Sequence, residues 1–169
     1  GEVRGESRPG AGSSFEVRLP YVAQAARVAS SASGDSGAEA LPDKPLAGIS
    51  ILLAEDDLIN QMMLEVNLID DGAKLVMVGD GKAAVDRVSS DGPEAYDVVL
   101  MDIQMPVMDG YEATRRILEL APELPIIGQT AHAFDEERDK CLAAGMRAHI
   151  AKPIDPQALV RLVLQVLEK

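Results

Sequence analysis

From Gly48 onward, short apolar runs alternate with amphipathic stretches in a steady rhythm. Ile49-Ser50-Ile51-Leu52-Leu53-Ala54 is apolar but for Ser50, the pattern of a buried strand. Ile59, Met62, Met63, Val66 and Ile69 follow at helical spacing and predict an amphipathic helix ending near Gly72. Residues 75–78 read as a short second strand, and Asp80 is placed to cap a helix carrying Ala84, Val85 and Val88. Residues 98–101, Val-Val-Leu-Met, are a third buried strand that ends abruptly in Asp102. Asp109 can cap a third helix with Ala113, Ile117 and Leu118 on one side. A fourth strand over 125–130 ends in Thr130, and a helix from about 135 to 144 is stopped by Gly145. Residues 148–151 are the fifth strand. Asp155-Pro156 then opens the last helix, as an N-cap followed by proline at the first helical position.

Strand–helix units in strict alternation predict a parallel sheet covered by helices on both faces. Five such units without a sixth suit a flavodoxin-like α/β fold, a doubly wound five-stranded sheet in the order 2-1-3-4-5. The loop after the first strand has no glycine, which excludes a dinucleotide fingerprint and a P-loop there.

The N-terminal part is different in kind. Residues 1–20 place turn formers, Pro9-Gly10-Ala11-Gly12, between Val3 and the alternating Phe15-Glu16-Val17-Arg18-Leu19, a hairpin pattern too small to bury a core alone. Residues 21–47 are rich in Ala, Ser and Gly and read as a flexible linker closed by Pro42 and Pro45. The folded domain is expected over 48–169. The chain opens on Gly1 rather than Met, and it reads as a piece of a longer protein.

Composition narrows the partners. The formal net charge is −12, and residues 1–48 hold five basic and six acidic side chains, so nearly all of the excess sits on the domain. An acidic domain repels nucleic-acid phosphates and anionic membrane, so neither is an expected partner; hard cations and basic protein surfaces are. The single cysteine, Cys141, cannot form an internal disulfide and is expected to be core packing. No stretch has the length of a membrane span or the layout of a signal peptide, so a cytoplasmic location is expected, with a membrane anchor possible only elsewhere in the parent protein.

Chemistry gathers at one rim. In a parallel sheet the loops after strands one, three, four and five share the carboxyl edge, where open α/β sheets keep their ligands. Those loops begin with Glu55-Asp56-Asp57, Asp102, Thr130 and Lys152-Pro153. Carboxylates roughly 4 Å apart repel by several kcal/mol at an effective dielectric near 20, a cost that a divalent cation or a lysine can offset. Oxygen-only donors suit Mg²⁺. A carboxylate can act as nucleophile and become an aspartyl phosphate, with a cation and a lysine spreading the phosphoryl charge and a threonine hydroxyl binding the product. Asp57 is read as the cap of the first helix rather than as a ligand.

An acid pair, an Asp102-Ile103-Gln104-Met105-Pro106-Val107-Met108-Asp109-Gly110 loop, Thr130-Ala131 and Lys152-Pro153 occur in this order. With them, residues 49–169 resemble a receiver domain of two-component signalling over their whole length. The resemblance implies that Asp102 is the phosphoacceptor, that Glu55 and Asp56 hold Mg²⁺, and that Gln104 lends its backbone carbonyl to the metal. It implies a switch hydroxyl at Thr130, a phosphoryl-binding lysine at Lys152, and a cis bond to Pro153. The domain would catalyse its own phosphorylation and slow dephosphorylation. Gly10-Ala11-Gly12-Ser13-Ser14-Phe15 resembles a segment near the end of histidine kinase ATP-binding domains. Most of such a domain is absent, so no ATP site is assigned. Together the two resemblances imply the C-terminal part of a hybrid histidine kinase. The implied partner is a protein carrying phosphohistidine, either the kinase core or a histidine phosphotransfer protein.

Two residues depart from the family pattern or add to it. His149 stands three before the lysine, where the family usually has Tyr or Phe; an imidazole is smaller and can carry charge, so it is expected to move with Thr130 and to respond to pH. His132, two past Thr130, is a candidate to sit over the phosphate, with a solvent-facing loop residue as the alternative. In the last helix, Leu159, Leu162, Val163 and Val166 form one apolar stripe, and Val160, Leu164 and Leu167 widen it. The extra width is read as a partner or weak-dimer surface around helix four, strand five and helix five, the alternative being a deeply buried helix. Two rival functions stand beside the receiver. A haloacid-dehalogenase-like phosphatase would want its nucleophile after the first strand and a second Asp two residues on, which this chain lacks. A non-phosphorylated interaction module with the same fold is the other.

Overall fold

The computed structural model describes residues 2–8, 12–18, 43–131 and 135–168. Residues 9–11 of the turn read over 9–12, residues 21–42 of the linker read over 21–47, and His132 lie outside the described residues. The chain forms two compact units, 1–39 and 40–169. In the first, β1 (Glu2–Arg8) and β2 (Gly12–Arg18) pair antiparallel, with Glu2 opposite Arg18 and Arg8 opposite Gly12.

The second unit runs β3 (Ser50–Ala54), α1 (Leu58–Asp70), β4 (Lys74–Val78), α2 (Gly81–Asp91), β5 (Val98–Asp102), α3 (Gly110–Leu120), β6 (Ile126–Thr130), α4 (Asp135–Ala143), β7 (Ala148–Ala151) and α5 (Pro156–Leu167). Its five strands are all parallel, in the order β4-β3-β5-β6-β7. Counted within the unit this is 2-1-3-4-5, the flavodoxin-like order expected from the alternation. Asp57, Asp80, Asp109 and Asp155 all cap helices, each accepting a backbone N–H from the first turn.

Side chains alternate across each strand, and the two faces of the sheet bury separate apolar clusters. Leu52, Ala54, Val99, Met101 and Ile126 pack with Ala84, Val88, Ala113, Ile117 and Cys141, from α2, α3 and α4. Ile51, Leu53, Val98, Leu100 and Ile127 pack with Leu64, Leu68, Leu159, Val160 and Val163, from α1 and α5. Cys141 is fully buried, and burial pushes its thiol up, as a core cysteine requires. Leu46, on the linker side of the boundary read from composition, is fully buried in the second cluster, and its N–H donates to the Asp71 carbonyl.

On two helices the structure decides which face is buried. The stripe that revealed α1 is not the one it buries. Leu58, Ile59, Met62, Met63, Val66 and Ile69 are 49–71% exposed, and Leu64 and Leu68 face the sheet. Both stripes have helical periodicity, and the sheet selected the leucines. On α5 the reverse holds. Val160 is core, and Leu162, Leu164, Val166 and Leu167 are half-buried against the same cluster, so most of the wide arc serves packing.

Gly110 fixes how closely α3 approaches the carboxyl end of β5. A Cβ there would lie 2.2 Å from the Asp102 carbonyl oxygen and 2.9 Å from the Ile103 Cα, both backbone. Backbone cannot yield as a side chain can. Gly110→Ala is therefore expected to lower stability by about 3 kcal/mol, the upper end of overpacking costs, with the denaturation midpoint as the check. An unchanged midpoint would mean that α3 can slide away from β5.

Candidate functional site

The sheet order brings β3 beside β5, and β7 close enough for a lysine to reach both across β6. Glu55 continues β3 by one residue; its N–H donates to the Val78 carbonyl, and its side chain is 0% exposed. Asp102 ends β5 and is nearly buried. The Lys152 Nζ donates to Glu55 Oε2 at 2.7 Å and to Asp102 Oδ2 at 2.5 Å. These partners are 97 and 50 residues away in the chain. The Lys152-Pro153 bond is cis.

The other carboxylate oxygens are held from the loops. Glu55 Oε1 accepts from Asn60 Nδ2 at 3.1 Å and from the Asp57 N–H at 3.3 Å. Asp102 Oδ1 accepts from the Gln104 N–H at 3.1 Å. Gln61 Nε2 donates to the Glu55 carbonyl. Asn60 and Gln61 were not singled out from the sequence. The one signal for them is a polar pair in the first turn of α1, next to its methionine-rich stripe.

Asp56 sits on the exposed side of the cluster. Carboxylate oxygens of Glu55, Asp56 and Asp102 lie within 4.8 Å of one another. Thr130 ends β6, buried, and its carbonyl accepts the Lys152 N–H at 2.7 Å. His149 lies half-buried on β7, opposite Gly128, on the sheet face that Thr130 shares. After Asp102 the loop crosses the rim through Val107, whose φ of 67° is strained for a β-branched residue. The Met108 N–H donates back to the Pro106 carbonyl at 2.7 Å, closing a tight three-residue turn that leaves Val107 exposed beside the site.

Electrostatics follow from burial. Burial raises the Glu55 carboxyl, and the Asp102 charge adds to this; bonds from Lys152 and Asn60 oppose it, and the net direction is upward from 4.5. Burial alone would lower the Lys152 ammonium, but the bonds to Asp102 and Glu55 outweigh it and hold it above its ordinary value of 10.5. Each shift makes the native state bind more protons than the unfolded chain in its window, so stability falls as pH rises through that window. For Glu55 the window opens just above pH 4.5. Denaturation of wild type and Glu55→Gln compared from pH 4.5 to 7 should show wild type losing ground to the variant as pH rises. Parallel curves would mean that Glu55 is already ionised on folding at the acid end.

A family model for the response regulator receiver domain matches residues 51–164, and the chain belongs to that family. A probable histidine kinase 2 of Oryza sativa is 40% identical over 144 residues, covering 76% of this chain and 14% of the kinase. The sensor protein EvgS of Escherichia coli is 36% identical over 154 residues, covering 91% of this chain and 12% of its own length. This chain thus spans about a seventh or less of either relative. Among solved structures, the receiver domain of the Pseudomonas aeruginosa sensor histidine kinase PA1611, with a magnesium ion in its active-site cleft, is 39% identical. It aligns at a TM-score of 0.66 over 73% of this chain and all of that one. The receiver domain of Ssk1 from Saccharomyces cerevisiae, crystallised with the histidine phosphotransfer protein Ypd1, is 26% identical with a TM-score of 0.65, over 71% of this chain and 89% of that chain.

Proposed function

We propose that the domain accepts a phosphoryl group from a phosphohistidine onto Asp102. The observation that carries this is the Lys152 ammonium seated between Glu55 and Asp102 at a rim also reached by Asp56 and Thr130. The Asp102 oxygen attacks phosphorus, the P–N bond breaks, and the imidazole leaves with the electron pair. Lys152 moves its charge toward the phosphoryl oxygens, and the Thr130 hydroxyl is drawn to one of them, carrying the strand-end loop and, with it, His149.

The donor set fits Mg²⁺: oxygen atoms only, carboxylates close together, one of them solvent-facing. Asp56 and Asp102 would hold the ion with the Gln104 carbonyl, and Glu55, engaged by Asn60, Asp57 and Lys152, would orient the set from behind. Bound there, the ion supplies positive charge at the phosphoryl oxygens. The parent is proposed to be a hybrid histidine kinase, in keeping with the kinase relatives and with residues 10–15.

The protein donor is proposed to dock on α1, as a histidine phosphotransfer protein or the kinase core. The exposed stripe Leu58, Ile59, Met62, Met63 and Val66 runs to the rim, and an apolar cleft of about 220 Å³ lined by Met63, Leu64, Pro153 and Ile154 adjoins it beside Lys152. A stripe of this size beside a reacting group marks an interaction site. Wild type should be labelled by acetyl phosphate and by a phosphorylated histidine phosphotransfer protein. Val66→Asp should keep the first reaction and slow the second at least tenfold. Failure of both donors on wild type would favour the non-phosphorylated interaction module.

A further inference from the structure

Gln129 is 0% exposed, and among the described residues neither its Oε1 nor its Nε2 has a hydrogen-bond partner. It lies on β6, directly across the ladder from Asp102 on one side and from Ile150 on the other. Alternation places its side chain with Ile127, which shares its cluster with Leu100 and Leu53. By the same alternation Asp102 follows Leu100 and Glu55 follows Leu53. The three polar side chains therefore stand in a row on one face, at one level of adjacent strands. Lys152 follows Ile150 on that face, and its chain must cross β6 to reach Asp102 and Glu55. On that face the crossing meets Ala131, just past β6 and level with Lys152, and Gln129, level with Asp102, and of the two only Gln129 carries a polar side chain.

A leucine would fill this space without burying an unpaired amide, so packing does not explain the residue. We propose that Gln129 is a positioning residue for Lys152, its Oε1 accepting from the ammonium once the phosphoryl group is on Asp102. The inference rests on the proposed phosphoacceptor reading. In the unphosphorylated site two of the three ammonium donors are spent on carboxylates. Phosphorylation draws Nζ to a phosphoryl oxygen and converts the Asp102 carboxylate to an acyl phosphate. With Glu55 still accepting, a neutral amide then offers the third ammonium donor an acceptor without adding negative charge to the pocket.

The test is titration of the full chain with beryllofluoride and Mg²⁺, for wild type and Gln129→Leu, with thermal unfolding of the unliganded proteins. The expected result is weaker beryllofluoride binding by the variant, about fivefold or more, with a melting temperature equal to or above wild type. In wild type, the Gln129 carboxamide NMR signals should shift on saturation. Unchanged affinity together with unmoved carboxamide signals would overturn the proposal. If the variant does not fold, the carboxamide signals of wild type decide alone. If wild type itself does not bind beryllofluoride, the phosphoacceptor reading falls, and the role of Gln129 falls with it.

Discussion

On the proposed phosphoacceptor role, Asp102→Asn is expected to abolish acyl phosphate formation and leave the fold intact. The amide oxygen is a poor nucleophile, and no other carboxylate can take its place. Glu55 is fully buried and engaged on both oxygens, and Asp56 lies on the exposed side, away from the lysine bonds. Labelling by acetyl phosphate with Mg²⁺, read by intact mass, should fall by a factor on the order of 10³ or more, as expected when a covalent nucleophile is lost. Stability should hold or rise. Asn can still accept the Gln104 N–H, Lys152 keeps Glu55, and the repulsion between Asp102 and Glu55 disappears. Undiminished labelling in the variant would place the nucleophile elsewhere and sink the assignment.

Lys152→Met should produce a large loss of stability. It strips the cation from Glu55, which is 0% exposed, whereas the lysine itself is 23% exposed. Removing one partner of a buried pair costs about 3–5 kcal/mol, and the partly open lysine argues for the lower end, about 3. In a domain of this size that corresponds to a melting temperature lower by roughly 10 °C. Adding Glu55→Gln should recover most of it, because the amide needs no counter-charge and Asn60 still reaches it. Equal losses in the single and the double variant would mean that the lysine acts through packing and not through charge.

Local pattern was enough for much of this. The strand–helix alternation, the four aspartate caps and the stop at Gly145 are written in neighbouring residues, and each is made by contacts within a few positions. The residues that meet at the rim were readable as a set because one topology brings every strand's carboxyl end to the same edge. The helix faces were harder. On α1 two stripes compete, a methionine-rich one and a leucine pair, and nothing within the helix says which meets the sheet.

What the sequence by itself determined is the kind of element at each position and the residue types offered at one edge, since both depend on short-range periodicity and on strand direction. The tertiary structure decided which groups touch. Lys152 reaches Glu55 across 97 residues, Asn60 locks that carboxylate, and Gln129 becomes the ladder neighbour of Asp102. These pairings are set by strand order and register, which are properties of the whole sheet and of no single segment. For the same reason the exposed side of α1 is an outcome of packing: the sheet had room for Leu64 and Leu68, and the stripe left over faces outward beside the site.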